Sequence, residues 1–132
     1  MKLREKLSRK LRKSKGFTLI EMLVVIAIIA ILVVVSVPMV NSSLDKAKTA
    51  TDDANERAAK AAALIQYMTD EETTGATYYY NADTGAAQKG SSADIEPYNQ
   101  TSRTSVPVGE GCIKVTINAD GTFQDLVWED IK

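Results

Sequence analysis

Apolar residues fall along this chain in three arrangements, and each predicts a different element. The first is a continuous run. Every residue from Met22 to Val35 is apolar, and the run resumes through Val37, Met39 and Val40 with only Ser36 and Pro38 between them. Counted from Phe17 to Val40 it holds 24 residues, and as a helix that is about 36 Å, enough to cross a bilayer core. The second arrangement has the helical period. Leu44, Ala47, Thr51, Ala54, Ala58, Ala61, Ile65 and Met68 are spaced three and four apart, which sets them on one stripe. The stretch that holds them, "LDKAKTATDDANERAAKAAALIQYMTDEE", is rich in Ala, Lys, Glu and Arg and has no Gly or Pro. Those are good helix formers. One helix is therefore predicted from about Phe17 to Met68, roughly 80 Å long. Its weakest point is Pro38, which lacks a backbone donor and clashes with the preceding turn. The β-branched residues just before it are poor helix formers, so the helix is expected to bend or melt there.

The third arrangement alternates. "TYYYNADTGAAQ" reads as a short strand, a turn and a weak return strand, with alternate members of Tyr78-Tyr79-Tyr80 packing on the helix. "CIKVTINADGTFQDLVWED" reads as a hairpin around Asp120-Gly121. Pairing Ala119 with Thr122 sets Val115 opposite Leu126 and Ile113 opposite Trp128. With Ile117 these make one apolar face, expected to pack on the alanine stripe; Lys114, Thr116 and Asp125 fall on the other, with Phe123 and Val127 as blemishes. Between these pairs, "KGSSADIEPYNQTSRTSVPVGEG" reads as a long surface loop. The fold class expected is α+β, a long N-terminal helix with a small antiparallel sheet on its distal half.

Charge sharpens this division. Residues 1–16 carry eight Lys/Arg and one Glu, a net of +7, whereas residues 17–132 carry eight Lys/Arg against sixteen Asp/Glu, a net of −8. A basic leader before an apolar run holds the N-terminus in the cytoplasm. The run leads into "SVPMVNSS", a poor small-x-small cleavage site, so the apolar segment is expected to be retained. The acidic remainder argues against direct nucleic-acid binding, which relies on Lys/Arg at phosphates. At 132 residues the chain has room for one domain. It has one cysteine, Cys112, and no histidine. An intramolecular disulfide, a His/Cys zinc site and a Cys-His or Ser-His catalytic pair are all excluded. Cys112 is expected to be a small buried or half-buried residue. Asp52-Asp53 and Glu71-Glu72 are the acidic pairs an enzyme would need, but the first is expected on a solvated helix and the second at its end. No enzyme activity, cofactor or metal is expected. Asp120, Asp125, Glu129 and Asp130 are oxygen donors, yet their spacing is not that of an EF-hand loop.

One residue breaks the apolar run. Glu21 places a carboxylate where hydrocarbon is expected, at a cost of a few kcal/mol. The segment "KGFTLIEMLVVIAIIAIL" resembles the prepilin signal of type IV pilins and type II secretion pseudopilins almost position by position over residues 15–32, and Pro38 extends the likeness. The resemblance implies cleavage between Gly16 and Phe17 by a prepilin peptidase, which then methylates the new amine of Phe17. Glycine suits such a site because it adds no side chain and resists helix formation. The resemblance also implies that Glu21 is an assembly residue. Physical reasoning agrees: a carboxylate facing the neighbour's N-terminal amine in low dielectric attracts strongly, whereas each charge alone is costly.

The domains expected are a cleaved leader (1–16), a transmembrane and assembly helix with its kink at Pro38 (17–40), an amphipathic helix (41–70) and a small β-rich head (71–132). The partners implied are further copies of the chain, the prepilin peptidase/methyltransferase, an assembly ATPase, an inner-membrane platform protein and, before assembly, membrane lipid. Two departures from the family pattern stand out. Ala30 occupies a position that is often glycine, and the usual C-terminal cysteine pair is missing, which looks like a Gram-positive source or a pseudopilin. A pseudopilin of a secretion or DNA-uptake system is the alternative to a pilus subunit. A simple membrane-anchored binding protein is the reading from another class; it predicts an uncut Gly16 and an indifferent Glu21.

Overall fold

The structure is a computed structural model that describes residues 16–132, together with Lys2. The expected leader therefore lies outside the described residues, apart from Lys2 and Gly16. One helix, α1 (Leu19–Thr69), is followed by four strands, β1 (Ala76–Asn81), β2 (Ala86–Lys89), β3 (Gly111–Ile117) and β4 (Phe123–Asp130). The chain divides after Ser42 into two compact units, which are taken in turn.

In the first unit α1 runs through Pro38 without interruption. Of the two outcomes expected at Pro38, melting does not occur. The ring's fixed φ is compatible with a helix, so the main loss is one backbone hydrogen bond. Ser36, two residues earlier, donates its Oγ to the Leu32 carbonyl at 2.6 Å. Every residue from Gly16 to Ser42 is exposed, so this apolar helix has no partner within the described chain.

In the second unit the sheet is antiparallel throughout, in the order β2-β1-β3-β4. One face packs on α1. Ala59 and Ala63 are fully buried there, against Tyr78, Ile113, Val115 and Ile117, with Tyr67, Tyr80 and Trp128 closing the cluster. Alanine at the two central helix positions lets the sheet come close. Large strand residues then fill the space, each contributing about 1.5–3 kcal/mol through burial. The sheet sits on a different face of α1 from the one expected. Leu44, Ile65 and Met68 are 50%, 65% and 68% exposed, and Ala47, Thr51, Ala54 and Ala61 are exposed too. Of the predicted stripe only Ala58 touches the core. The face that does pack carries Asp52, Glu56 and Tyr67, whose polar atoms made it look solvated in a count of apolar residues. Each finds a partner in the fold: the Tyr67 hydroxyl donates to the Ala119 carbonyl (3.2 Å) and the Trp128 indole donates to Glu56 (2.8 Å).

The hairpin pairs Val115 with Leu126 and Ile113 with Trp128, as expected. At its tip the register slips by one, so that Ile117 faces Phe123. A bulge between Thr116 and Ile117 absorbs the difference. The turn closes with Asn118 N–H donating to Thr122 O, while Asp120 accepts from the Thr122 amide and hydroxyl. Tyr78 and Tyr80 are buried and Tyr79 is half-buried on the opposite face, which is the alternation expected of the tyrosine run. Gly75, just before β1, has φ +79°, and a Cβ there would stand 2.8 Å from the Ile117 carbonyl; only glycine fits.

The segment between β2 and β3 carries no strand, but it is more than a surface loop. Ile95, Asn99 and Val106 are buried. Asn99 gathers the segment around its side chain. Its Oδ1 accepts from the Glu110 and Gly111 amides, and its Nδ2 donates to the Thr101 and Pro107 carbonyls. The Tyr98 hydroxyl donates to the Tyr80 carbonyl and accepts from the Ile113 amide (2.9 and 2.8 Å), finishing the ladder between β1 and β3.

The candidate processing and assembly segment

Gly16, Phe17 and Thr18 are non-helical and exposed, Phe17 at 81%. This is the accessible, irregular backbone a peptidase requires. Thr18 and Glu21 then begin the helix as a reciprocal pair. The Thr18 amide donates to Glu21 Oε2 at 3.0 Å, and the Glu21 amide donates to Thr18 Oγ1 at 3.3 Å. This is a capping box, in which a hydroxyl residue and an acid three positions on satisfy two otherwise orphaned donors. The sequence signal was T-x-x-E, readable from "FTLIE". It gives Glu21 a local role beside the one implied by resemblance: its charge also complements the positive end of the helix dipole. Only Oε2 is engaged, so Oε1 has no hydrogen-bond partner among the described residues.

Beyond Glu21 the helix is long and apolar enough to cross a membrane, and none of its most apolar window is buried. Pro38 lies well beyond Glu21 along it. Gly16, Phe17 and Glu21 thus lie within six residues of one another along the chain, and Pro38 stands apart. Residues 11–37 match the model of the prokaryotic N-terminal methylation motif.

The chain carries a prepilin-type signal. It is the signal found in type IV pilins and pseudopilins, and the α+β layout above is a pilin-like one. Such a signal implies maturation by a prepilin peptidase, anchoring in a membrane and assembly into a filament. No curated protein and no solved structure matches the chain.

Sequence reasoning missed a second constellation. Asp52, expected on a solvated helix, is fully buried. Its carboxylate accepts from the Gln100 amide (2.8 Å), the Thr101 amide (2.9 Å), the Thr101 hydroxyl (2.6 Å) and Arg103 Nε (3.4 Å). Arg103 also reaches Asp53 (3.0 Å), Glu56 (3.6 Å) and the Thr49 carbonyl (3.2 Å). A buried carboxylate with four donors is stable where an unpaired one is not. Asp52 therefore clasps the long segment to α1. The available hint was Arg103, the one arginine after residue 57. With both carboxylate oxygens engaged in structure, Asp52 is a fastening rather than an acid or base.

Cys112 is fully buried, and burial, with the nearby Glu129 carboxylate second, pushes its thiol up to about 11. Such a thiol is inert at neutral pH. Of the oxygen donors near the C-terminus, Asp120 serves the hairpin turn, and Glu129 pairs with Lys114 and accepts from the Tyr79 hydroxyl. Among the described residues no three potential metal ligands come together.

Proposed function

We propose that this chain is a structural subunit of a type IV pilus. A prepilin peptidase cuts between Gly16 and Phe17, releasing residues 1–16, and methylates the Phe17 amine. Residues 17–40 hold the subunit in the cytoplasmic membrane, N-terminus inward, and then form the core of the fibre. Residues 41–70 continue the helix into the head, and residues 71–132 cover the outside. An assembly ATPase and a membrane platform protein drive the transfer. Exchanging lipid for neighbouring apolar helices brings little hydrophobic gain, so an external energy source is needed. Pro38 is the point where the helix adapts to its neighbours.

The observation that carries this reading is Glu21, within six residues of the Gly16-Phe17 junction at the head of an apolar helix that is exposed throughout. One carboxylate oxygen caps its own helix, which leaves the other for the α-amine of an adjacent subunit. Further support comes from the open stripe through Ala47, Ala54, Ala61, Ile65 and Met68. It lies opposite the sheet and extends the apolar surface available to neighbouring helices. The same motif marks pseudopilins, so a secretion or DNA-uptake pseudopilus is the second reading.

Intact mass of the protein from native cells, wild type beside Glu21→Ala, tests the proposal. Sheared fibres of a species that begins at methylated Phe17, absent in the variant, are expected. A membrane protein that retains residues 1–16 and forms no fibres would overturn it.

A further inference from the structure

The charges of the second unit are sorted in a way the composition hides. From Asp70 onward the chain holds eleven Asp/Glu against four Lys/Arg, a net of −7. Three of those four cations are consumed internally: Lys89 pairs with Glu72, Lys114 with Glu129, and Arg103 with Asp52, Asp53 and Glu56. The sheet-bearing region therefore presents an acidic surface with little cation left to offset it. Along α1 from Ser43 the counts are even, four Lys/Arg against four Asp/Glu, but three of those acids are drawn to Arg103. Asp53 precedes Arg57, and Glu56 precedes Lys60, by four residues each, the spacing of favourable intrahelical pairs. Neither pair forms. Both carboxylates turn instead to Arg103, and Glu56 also accepts from Trp128. Arg57 and Lys60 are left exposed and without an ion pair among the described residues, as is Lys46. At 100° per residue these three fall within a sector of about 60°, beside the open apolar stripe.

We propose that Lys46, Arg57 and Lys60 form a basic rail that receives the acidic sheet-bearing region of a second copy of this chain. This rests on the filament reading. Identical heads that each carry a net of −7 repel when they pack side by side. Apart from Lys132, the unspent cations lie on the helix, and Lys46, Arg57 and Lys60 stand next to the surface that neighbouring helices approach. Opposite charges across such a contact set register and suppress wrong partners more than they add affinity. The contact is heterologous, helix of one copy against head of the next, and such contacts propagate into open helical arrays.

Zero-length carbodiimide coupling of intact sheared fibres tests the rail, since it joins only amines and carboxylates already in contact. Wild-type fibres are expected to give a ladder of covalent multimers under denaturation. Its linked peptides should join Lys46 or Lys60 to acids between residues 70 and 130. Links between Phe17 and Glu21 are told apart by peptide mass. Fibres of the Lys46→Gln/Lys60→Gln variant should lose the rail-to-head peptides, and Arg57→Glu/Lys60→Glu should cut fibre yield at least tenfold while Arg57→Lys keeps it. Wild-type fibres whose coupled peptides never include Lys46 or Lys60, or full fibre yield from the reversed variant, would overturn the rail and leave the filament reading standing. Wild-type cells without fibres would overturn the filament reading itself.

Discussion

Asp52 shows how much one residue can hold when its environment is complete. Removing its carboxylate as Asp52→Ala strands the Gln100 and Thr101 amides and takes from Arg103 one of its three carboxylate partners, leaving Asp53 and Glu56. Stranded buried donors cost about 1–3 kcal/mol each, so a loss of about 3 kcal/mol is expected. Chemical denaturation checks it, and hydrogen exchange should show residues 98–106 opening first. Glu71 offers the opposite case. It ends α1 with φ +50°, while Glu72 N–H reaches back to the Tyr67 carbonyl and Glu71 N–H to Met68. This is the Schellman geometry, whose left-handed residue is usually glycine. Glu71→Gly should therefore stabilise the protein by up to about 1 kcal/mol in the same measurement. Cys112 contributes a pH dependence. Its folded pKa is raised to about 11 from an ordinary 9.0, so the unfolded chain loses its proton first as pH rises. Stability is whole below pH 9 and is lost from there towards 11. Thermal midpoints across that window should fall less steeply for Cys112→Ala than for wild type.

Helix α1 is the element on which the sequence was both most and least informative. Its existence, its extent to within two residues and its exposed apolar half all follow from composition and period. The side that meets the sheet did not. Hydrophobic counting favours the stripe with Leu44, Ile65 and Met68, because the packing side includes Asp52 and Glu56. Asp52 is buried, and Glu56 half-buried, only through partners some fifty or more residues away, and no local pattern encodes such pairing. The strands were legible for the opposite reason. Alternation and Asp120-Gly121 are local signals, and they set the pairing of Val115 with Leu126; the bulge at Ile117, a matter of fitting the turn, was not visible. The prepilin-type signal was the most legible of all, since its residues are contiguous. The two faces of α1 separate experimentally. Ala63→Leu overpacks the core and should cost about 1–3 kcal/mol. Ala61→Leu, on the open side, should leave unfolding within about 0.5 kcal/mol of wild type. If the open stripe meets neighbouring helices, Ala61→Leu should nevertheless lower fibre yield.

At the scale of the molecule, folding and assembly draw on different residues. The buried cluster, the Asp52 clasp and the sheet all lie between Ser43 and Lys132, within one compact unit. The helix before Ser43 adds an apolar surface with nothing in the described chain to cover it. On the filament reading proposed above, such a division lets the subunit keep its fold in lipid and in a fibre, since every buried residue among those described lies after Ser43. The fragment 43–132 is accordingly expected to fold alone as a soluble monomer. Its cooperative thermal transition should lie within a few degrees of that of the head of the full chain in detergent, with Trp128 fluorescence reporting both. A molten fragment that binds hydrophobic dye would mean that the apolar helix supports the head. A folded fragment that stays monomeric at high concentration would mean that the contact between rail and head is too weak to hold copies together by itself, and that residues 17–42 must first bring them side by side.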